Sequence, residues 1–135
     1  MVTLLVLTML QITPGDSILH TWETREKDSK ILMLKSGNTY VAKMLYGKEL
    51  IEADGTYKKD VNNPDPTLRS RELKDYILIS GLVYQDGKWT DGKIYNYRDG
   101  NSYDVTIQLE GKVMNMRVYK GTPMFGRTLK WDMIE

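Results

Sequence analysis

The chain has 135 residues, no cysteine, and 19 basic against 18 acidic side chains, a formal net charge of +1. Such a length holds one hydrophobic core, and 41% apolar with 27% charged residues is the composition of a folded domain rather than a disordered one. The charge balance supplies no field to gather phosphates along a groove, which excludes nucleic acid as an expected partner, and the absence of cysteine excludes disulfides, thiolate nucleophiles and thiolate metal sites.

Positions 2–12 form an apolar run, followed by Thr13, Pro14 and Gly15 before the first charge at Asp16. A bilayer-spanning helix needs about 20 residues, so a run of this length predicts no stable membrane span. It matches the apolar region of a signal peptide followed by small residues. Residues 1–15 are therefore read as an export signal cleaved near Gly15, and 16–135 as the mature domain, periplasmic or secreted. No Lys or Arg precedes the run, and the rival reading is a first buried strand.

Beyond Asp16 the turn dipeptides Gly37-Asn38, Asp86-Gly87, Asp99-Gly100 and Glu110-Gly111 punctuate the chain, each supplying the backbone that tight hairpins require. Between such breaks lie segments of strand length: 19–24, 30–36, 39–46, 76–84, 88–97, 102–109, 112–119 and 127–134. Alternation is clean in several of them. Tyr103, Val105, Ile107 and Leu109 share one face and Ser102, Asp104, Thr106 and Gln108 the other; Met114, Met116 and Val118 oppose Asn115 and Arg117; Leu129, Trp131 and Met133 oppose Thr128, Lys130 and Asp132. About eight sequential strands with one wet face predict an all-β fold, a single antiparallel up-and-down barrel, because closure removes the exposed edges of an open sheet.

One polar insertion, 47–75, interrupts the meander and exceeds the usual connection length. Within it Asp65 is placed to cap, and Pro66 to start, one short helix in the segment 66–75.

The same insertion carries Asp60-Val61-Asn62-Asn63-Pro64-Asp65-Pro66-Thr67-Leu68-Arg69-Ser70-Arg71. Downstream come Ile79-Ser80-Gly81-Leu82, then Trp89 with Gly92, Ile94, Tyr95, Asp99, Gly100 and Tyr103, and last Gly121-Thr122-Pro123-Met124-Phe125-Gly126-Arg127-Thr128 with Trp131. In these pieces, recurring in order over residues 18–131, the chain resembles the bacterial family called domain of unknown function 2147. The resemblance implies a signal peptide, an exported domain of this size and a lipocalin-like barrel, and it implies no activity. One departure is at the front, where the family's glycine two residues before the first tryptophan is His20, ahead of Trp22. Lipocalins lay an arginine over a tryptophan of the first strand, and Trp22 with Arg127 is the candidate barrel-closing pair, by cation–π attraction, against the plain alternative of a core tryptophan and a turn-capping arginine.

Catalytic constellations lack parts. His20 is the one histidine, no Gly-x-Ser-x-Gly turn occurs, and nothing pairs any of the 18 acids for glycoside cleavage. No enzyme activity, cofactor or metal is expected; an oxygen site built from Asp60, Asn62 and Asp65 fails the EF-hand pattern, since Pro64 and Arg71 occupy ligand positions. In the plain account Asp60, Asn63 and Asp65 brace the loop through nearby backbone amides, and Arg69 and Arg71 pair with Glu72 or Asp75. In the functional account these five residues form a lid or mouth, with Arg69 and Arg71 gripping a carboxylate or phosphate.

Tyr76, Trp89, Tyr95, Tyr103, Met114, Met116 and Trp131 are the candidate pocket lining, flat and soft side chains suited to an amphipathic ligand, although a filled core uses the same residues. The leading expectation is thus an exported lipocalin-like binding protein for a small, mostly apolar or amphipathic molecule. An envelope-protein interaction module, an inhibitor or assembly factor acting through 47–75, is the alternative. An enzyme using Asp60, Asp65, Arg69 or Arg71 comes last.

Overall fold

A computed structural model describes residues 13–135, and the apolar run expected to direct export lies, up to residue 12, outside the described residues. Eight antiparallel strands follow in order: β1 (Thr21–Thr24), β2 (Ser29–Ser36), β3 (Thr39–Gly47), β4 (Ile77–Gln85), β5 (Lys88–Asn96), β6 (Asn101–Glu110), β7 (Val113–Tyr119) and β8 (Arg127–Met133). The expected segments coincide with these strands to within two residues at every end. Each strand pairs with the next, and β8 returns to β1 through Trp22↔Met133, Glu23↔Asp132 and Thr24↔Trp131, so the sheet closes into an up-and-down barrel.

The period-2 alternation sets which way each side chain points. On β6, Val105 and Ile107 are fully buried while Ser102 and Gln108 are exposed, and on β7 Met114 and Met116 are fully buried. Asp86 and Gly87 both hold positive φ, 53° and 80°, the mirror-image turn that matches the twist of hairpin β4–β5.

One end of the barrel is sealed. A 3₁₀ turn at Pro14–Ile18 lies across it, with Ile18 fully buried. Two indole N–H groups fasten this turn: Trp22 Nε1 donates to Ile18 O at 3.0 Å and Trp89 Nε1 to Gly15 O at 3.2 Å. Asp16 Oδ1 accepts from Tyr40 OH at 2.7 Å, Lys35 Nζ at 2.8 Å and Thr13 Oγ1 at 3.0 Å, tying the turn to β2 and β3. Gly15 fits because a Cβ there would meet Tyr40 Oη at 2.5 Å and Tyr84 Cβ at 2.8 Å. His20, the departure from the family's glycine, stands edge-on to Trp22 with ring centroids 6.2 Å apart, its Nδ1 3.0 Å from Glu135 O.

One expectation is narrowed and one is overturned. The helix expected in 66–75 is a single 3₁₀ turn, Pro66–Leu68, because the bonds Arg69 N→Pro66 O and Arg71 N→Leu68 O span three residues and the chain then turns back on itself, Asp60 N bonding to Arg71 O at 3.0 Å. Asp65 does cap it, accepting from Thr67 N at 3.0 Å. The pairing of Trp22 with Arg127 does not form: Trp22 sits opposite Met133, at the far end of β8 from Arg127, and β8's rise separates those ends by about 20 Å. Trp22 belongs to the sealed end and Arg127 to the open one.

Candidate functional site

Inward residues differ in size along the barrel, and this decides where it is solid. Toward the sealed end the large side chains of Trp22, Trp89, Met33, Tyr40, Met114 and Met116 meet in one buried cluster. Toward the other end the inward positions carry Met44, Leu78, Ile94, Val118 and Leu129, and they enclose a cavity of about 840 Å³ open to solvent. That is within the range of about 300–1,000 Å³ found for small-molecule sites. Trp131 of β8 forms part of its wall, and Tyr76, Tyr95, Tyr97 and Tyr103 are among its lining residues.

The wall is uncharged and the rim is mixed. Burial, then the neighbouring Tyr97 and Asp60, pushes the Tyr76 phenol well above its ordinary range. Tyr95 is pushed up to about 12, by burial first and then by its hydrogen bond to Asp60. Both therefore stay protonated near neutral pH and serve as hydroxyl groups. At the rim Glu49 and Arg98 form an ion pair, Lys120 lies 6.0 Å from the centre of the Tyr103 ring, and Glu26, Asp28 and Arg127 complete a ring of both signs. The β7–β8 connection raises Met124 and Phe125 above this rim, 77% and 79% exposed, on a 3₁₀ turn that Arg117 Nε braces through Pro123 O at 2.9 Å.

The insertion 47–75 walls one side of the mouth, and Asp60 and Asn63, its buried polar residues, hold it there. Asp60 is fully buried, and its carboxylate accepts from Tyr95 OH at 2.6 Å, Asn63 Nδ2 at 2.8 Å and Arg71 Nε at 3.0 Å, with Arg71 Nη2 at 2.9 Å. Arg69 Nε donates to Asn63 O at 2.8 Å, and Asn63 Oδ1 accepts from Asp65 N at 2.8 Å. Asn62 Nδ2 reaches across to Tyr97 O and Arg98 O on the β5–β6 turn, at 3.2 and 2.9 Å. The glycine at 100 is required there, with φ of 73° and Asn62 O where a Cβ would be.

The expected site residues thus divide. Tyr76, Tyr95, Tyr103 and Trp131 line the cavity; Trp89, Met114 and Met116 do not, because they pack in the solid half, Trp89 turned to the sealed-end turn. Arg71 grips a carboxylate, but it is the protein's own Asp60 rather than Glu72 or Asp75, and Arg69 takes a backbone carbonyl. Asn63 and Asp65 brace the loop through backbone amides, as the plain account expects, whereas Asp60 does so from complete burial and through the side chains of Asn63, Arg71 and Tyr95. Asp60, Asn62 and Asp65 face different partners, and among the described residues no three His, Cys, Asp or Glu side chains converge as metal ligands would. Sequence reasoning missed Leu78, Ile94, Val118 and Leu129 as lining; alternation marks them inward, but carries no signal of their height in the barrel.

Comparison with known proteins agrees with this geometry. The family model described as "Uncharacterized protein conserved in bacteria (DUF2147)" matches residues 20–133. No curated protein matches the chain. Among solved structures, protein HP1028 from the human pathogen Helicobacter pylori, described as belonging to the lipocalin family, superposes with a TM-score of 0.73 over 87% of this chain and 83% of that one, at 24% identity. The likeness is one of fold: a lipocalin-like barrel.

Proposed function

The chain belongs to the bacterial family DUF2147, whose description assigns no activity, and on that footing we propose from the cavity that this member holds a small, mostly apolar or amphipathic molecule as a carrier or sensor and does not turn it over. The observation that carries the reading is the half-filled barrel, a cavity of about 840 Å³ with an uncharged aromatic and aliphatic wall and one open end. Burying apolar ligand surface there gains about 25 cal/mol per Å², and a wall built on rigid strands binds with little reordering.

Export is part of the proposal, with any cleavage falling before Thr13 rather than after Gly15. Thr13, Pro14 and Gly15 belong to the sealed end, and a cut after Gly15 removes the carbonyl that Trp89 Nε1 bonds. N-terminal sequencing of protein recovered from periplasmic extract reads the boundary directly.

The binding test uses N-phenyl-1-naphthylamine, whose fluorescence rises in apolar surroundings, with native mass spectrometry of freshly purified protein alongside. The dye is expected to bind saturably, and Ile94→Trp, which fills the cavity from its wall, to weaken it about tenfold. A ligand at about 100 times its Kd stabilises the fold by about 2.7 kcal/mol, visible as a raised Tm. A wild-type protein that takes up no dye and carries no co-purifying mass sinks the reading.

A further inference from the structure

We infer that the molecule held in the barrel carries an uncharged hydrogen-bond acceptor at its inner end, a carbonyl, ether or hydroxyl oxygen, and that the Trp131 indole N–H donates to it. This rests on the ligand-binding reading above and specifies its chemistry.

The chain has three tryptophans, and all are buried. Trp22 and Trp89 each donate their N–H to a backbone carbonyl of the sealed end. Trp131 is different. It is 3% exposed and lines the cavity, and its Nε1 is the one buried side-chain nitrogen or oxygen among the described residues to which no protein group offers a hydrogen bond. A buried donor without an acceptor forfeits its hydration for nothing in return. A ring without the N–H would pack against the same wall at no such cost, so the indole is of use where an acceptor comes to it.

Position narrows the acceptor. Trp131 pairs with Met114 and Thr24 on the neighbouring strands, about 13 Å along β8 from Arg127 at the rim. The cations of the site, Arg98, Lys120 and Arg127, stand at that rim, while the lining residue paired with Trp131 is Thr24, whose hydroxyl is already given to the Asp28 carboxylate at 2.6 Å. An ionised head drawn down to Trp131 would lose its hydration and gain a single neutral N–H. A neutral oxygen loses far less. The indole nitrogen is covered by its neighbours, so the acceptor reaches it after a side-chain adjustment, and Met44, which lines the same cavity, has a flexible stem.

The experiment titrates the wild-type chain and Trp131→Phe with three probes of one chain length, 2-decanone, decane and decanoate, by displacement of N-phenyl-1-naphthylamine, and follows indole N–H resonances of the ¹⁵N-labelled wild type. The ketone is expected to move one indole N–H resonance downfield, assigned to Trp131, while decane leaves it in place. In Trp131→Phe the affinity for 2-decanone is expected to fall about fivefold, the effect of one hydrogen bond, with decane unchanged. An unmoved resonance, or a ketone affinity equal in the two proteins, overturns the inference and leaves the binding reading intact. Decanoate binding more tightly than the ketone, and losing that advantage in Lys120→Gln or Arg127→Gln, overturns it in favour of a charged head at the rim. Failure of all three probes to displace the dye from a chain that does bind it also overturns it, whereas a chain that binds no dye removes the reading beneath. The resonance measurement needs no variant, so it decides the question even if Trp131→Phe does not fold.

Discussion

Asp60 is a carboxylate with no access to water, and every contact around it is a donor: Tyr95 OH, Asn63 Nδ2 and both Arg71 nitrogens. Removing the charge while keeping the shape strands the Arg71 guanidinium and weakens bonds that a charged acceptor makes strong. Arg71 is partly exposed, which discounts the loss. Asp60→Asn is therefore expected to cost about 2 kcal/mol in urea unfolding, whereas Asp65→Ala, which removes a cap from an exposed three-residue turn, costs about 1 kcal/mol or less. Equal effects would mean that the buried carboxylate does not anchor the loop. The presence of Asp60, Arg69 and Arg71 in one segment was legible from the sequence. Their partners were not, because a hydrogen bond such as Tyr95 OH to Asp60 joins residues 35 apart in the chain.

At the scale of elements, the turn Pro14–Ile18 is only five residues long and owes its place to what it touches. Asp16 holds it to Lys35 and Tyr40, and these two hydrogen bonds, Lys35 first, keep the Asp16 carboxyl far below the usual carboxylate range. A group whose pKa is depressed on folding stabilises the fold fully above its unfolded value, about 3.9, and progressively less as pH falls beneath it. The wild-type advantage over Asp16→Asn in urea midpoint is thus expected to be constant from pH 7 to about 5 and to shrink between about pH 4 and pH 2. An advantage independent of pH would show that the carboxylate does not fasten the turn. This role was not legible in the residues alone: 13–15 read as the tail of an export signal, since small residues after an apolar run fit a cleavage site as well as they fit a tight packing space.

At the scale of the whole molecule, stability depends on the seam between β1 and β8. Thr21 N bonds to Glu135 O and Ile134 N to Thr21 O, extending the seam past the last strand. A chain truncated before Arg127 exposes the flanks of β1 and β7, and open strand edges pair with other chains. Such a chain is expected to lose its cooperative unfolding transition and to elute larger than the full-length protein in size exclusion; a monomer that unfolds cooperatively would show the seam to be dispensable. The barrel itself was determined by the sequence, because alternation with period 2 fixes the face of every residue, turn residues fix the strand ends, and a meander of this length escapes its own edges by closing. What the tertiary structure alone decided is height. Trp89 and Trp131 carry the same inward signal, yet the first packs against the sealed-end turn and the second borders the cavity. Height follows from the register between neighbouring strands and from which end the Pro14–Ile18 turn seals, and neither is written in any local run of residues.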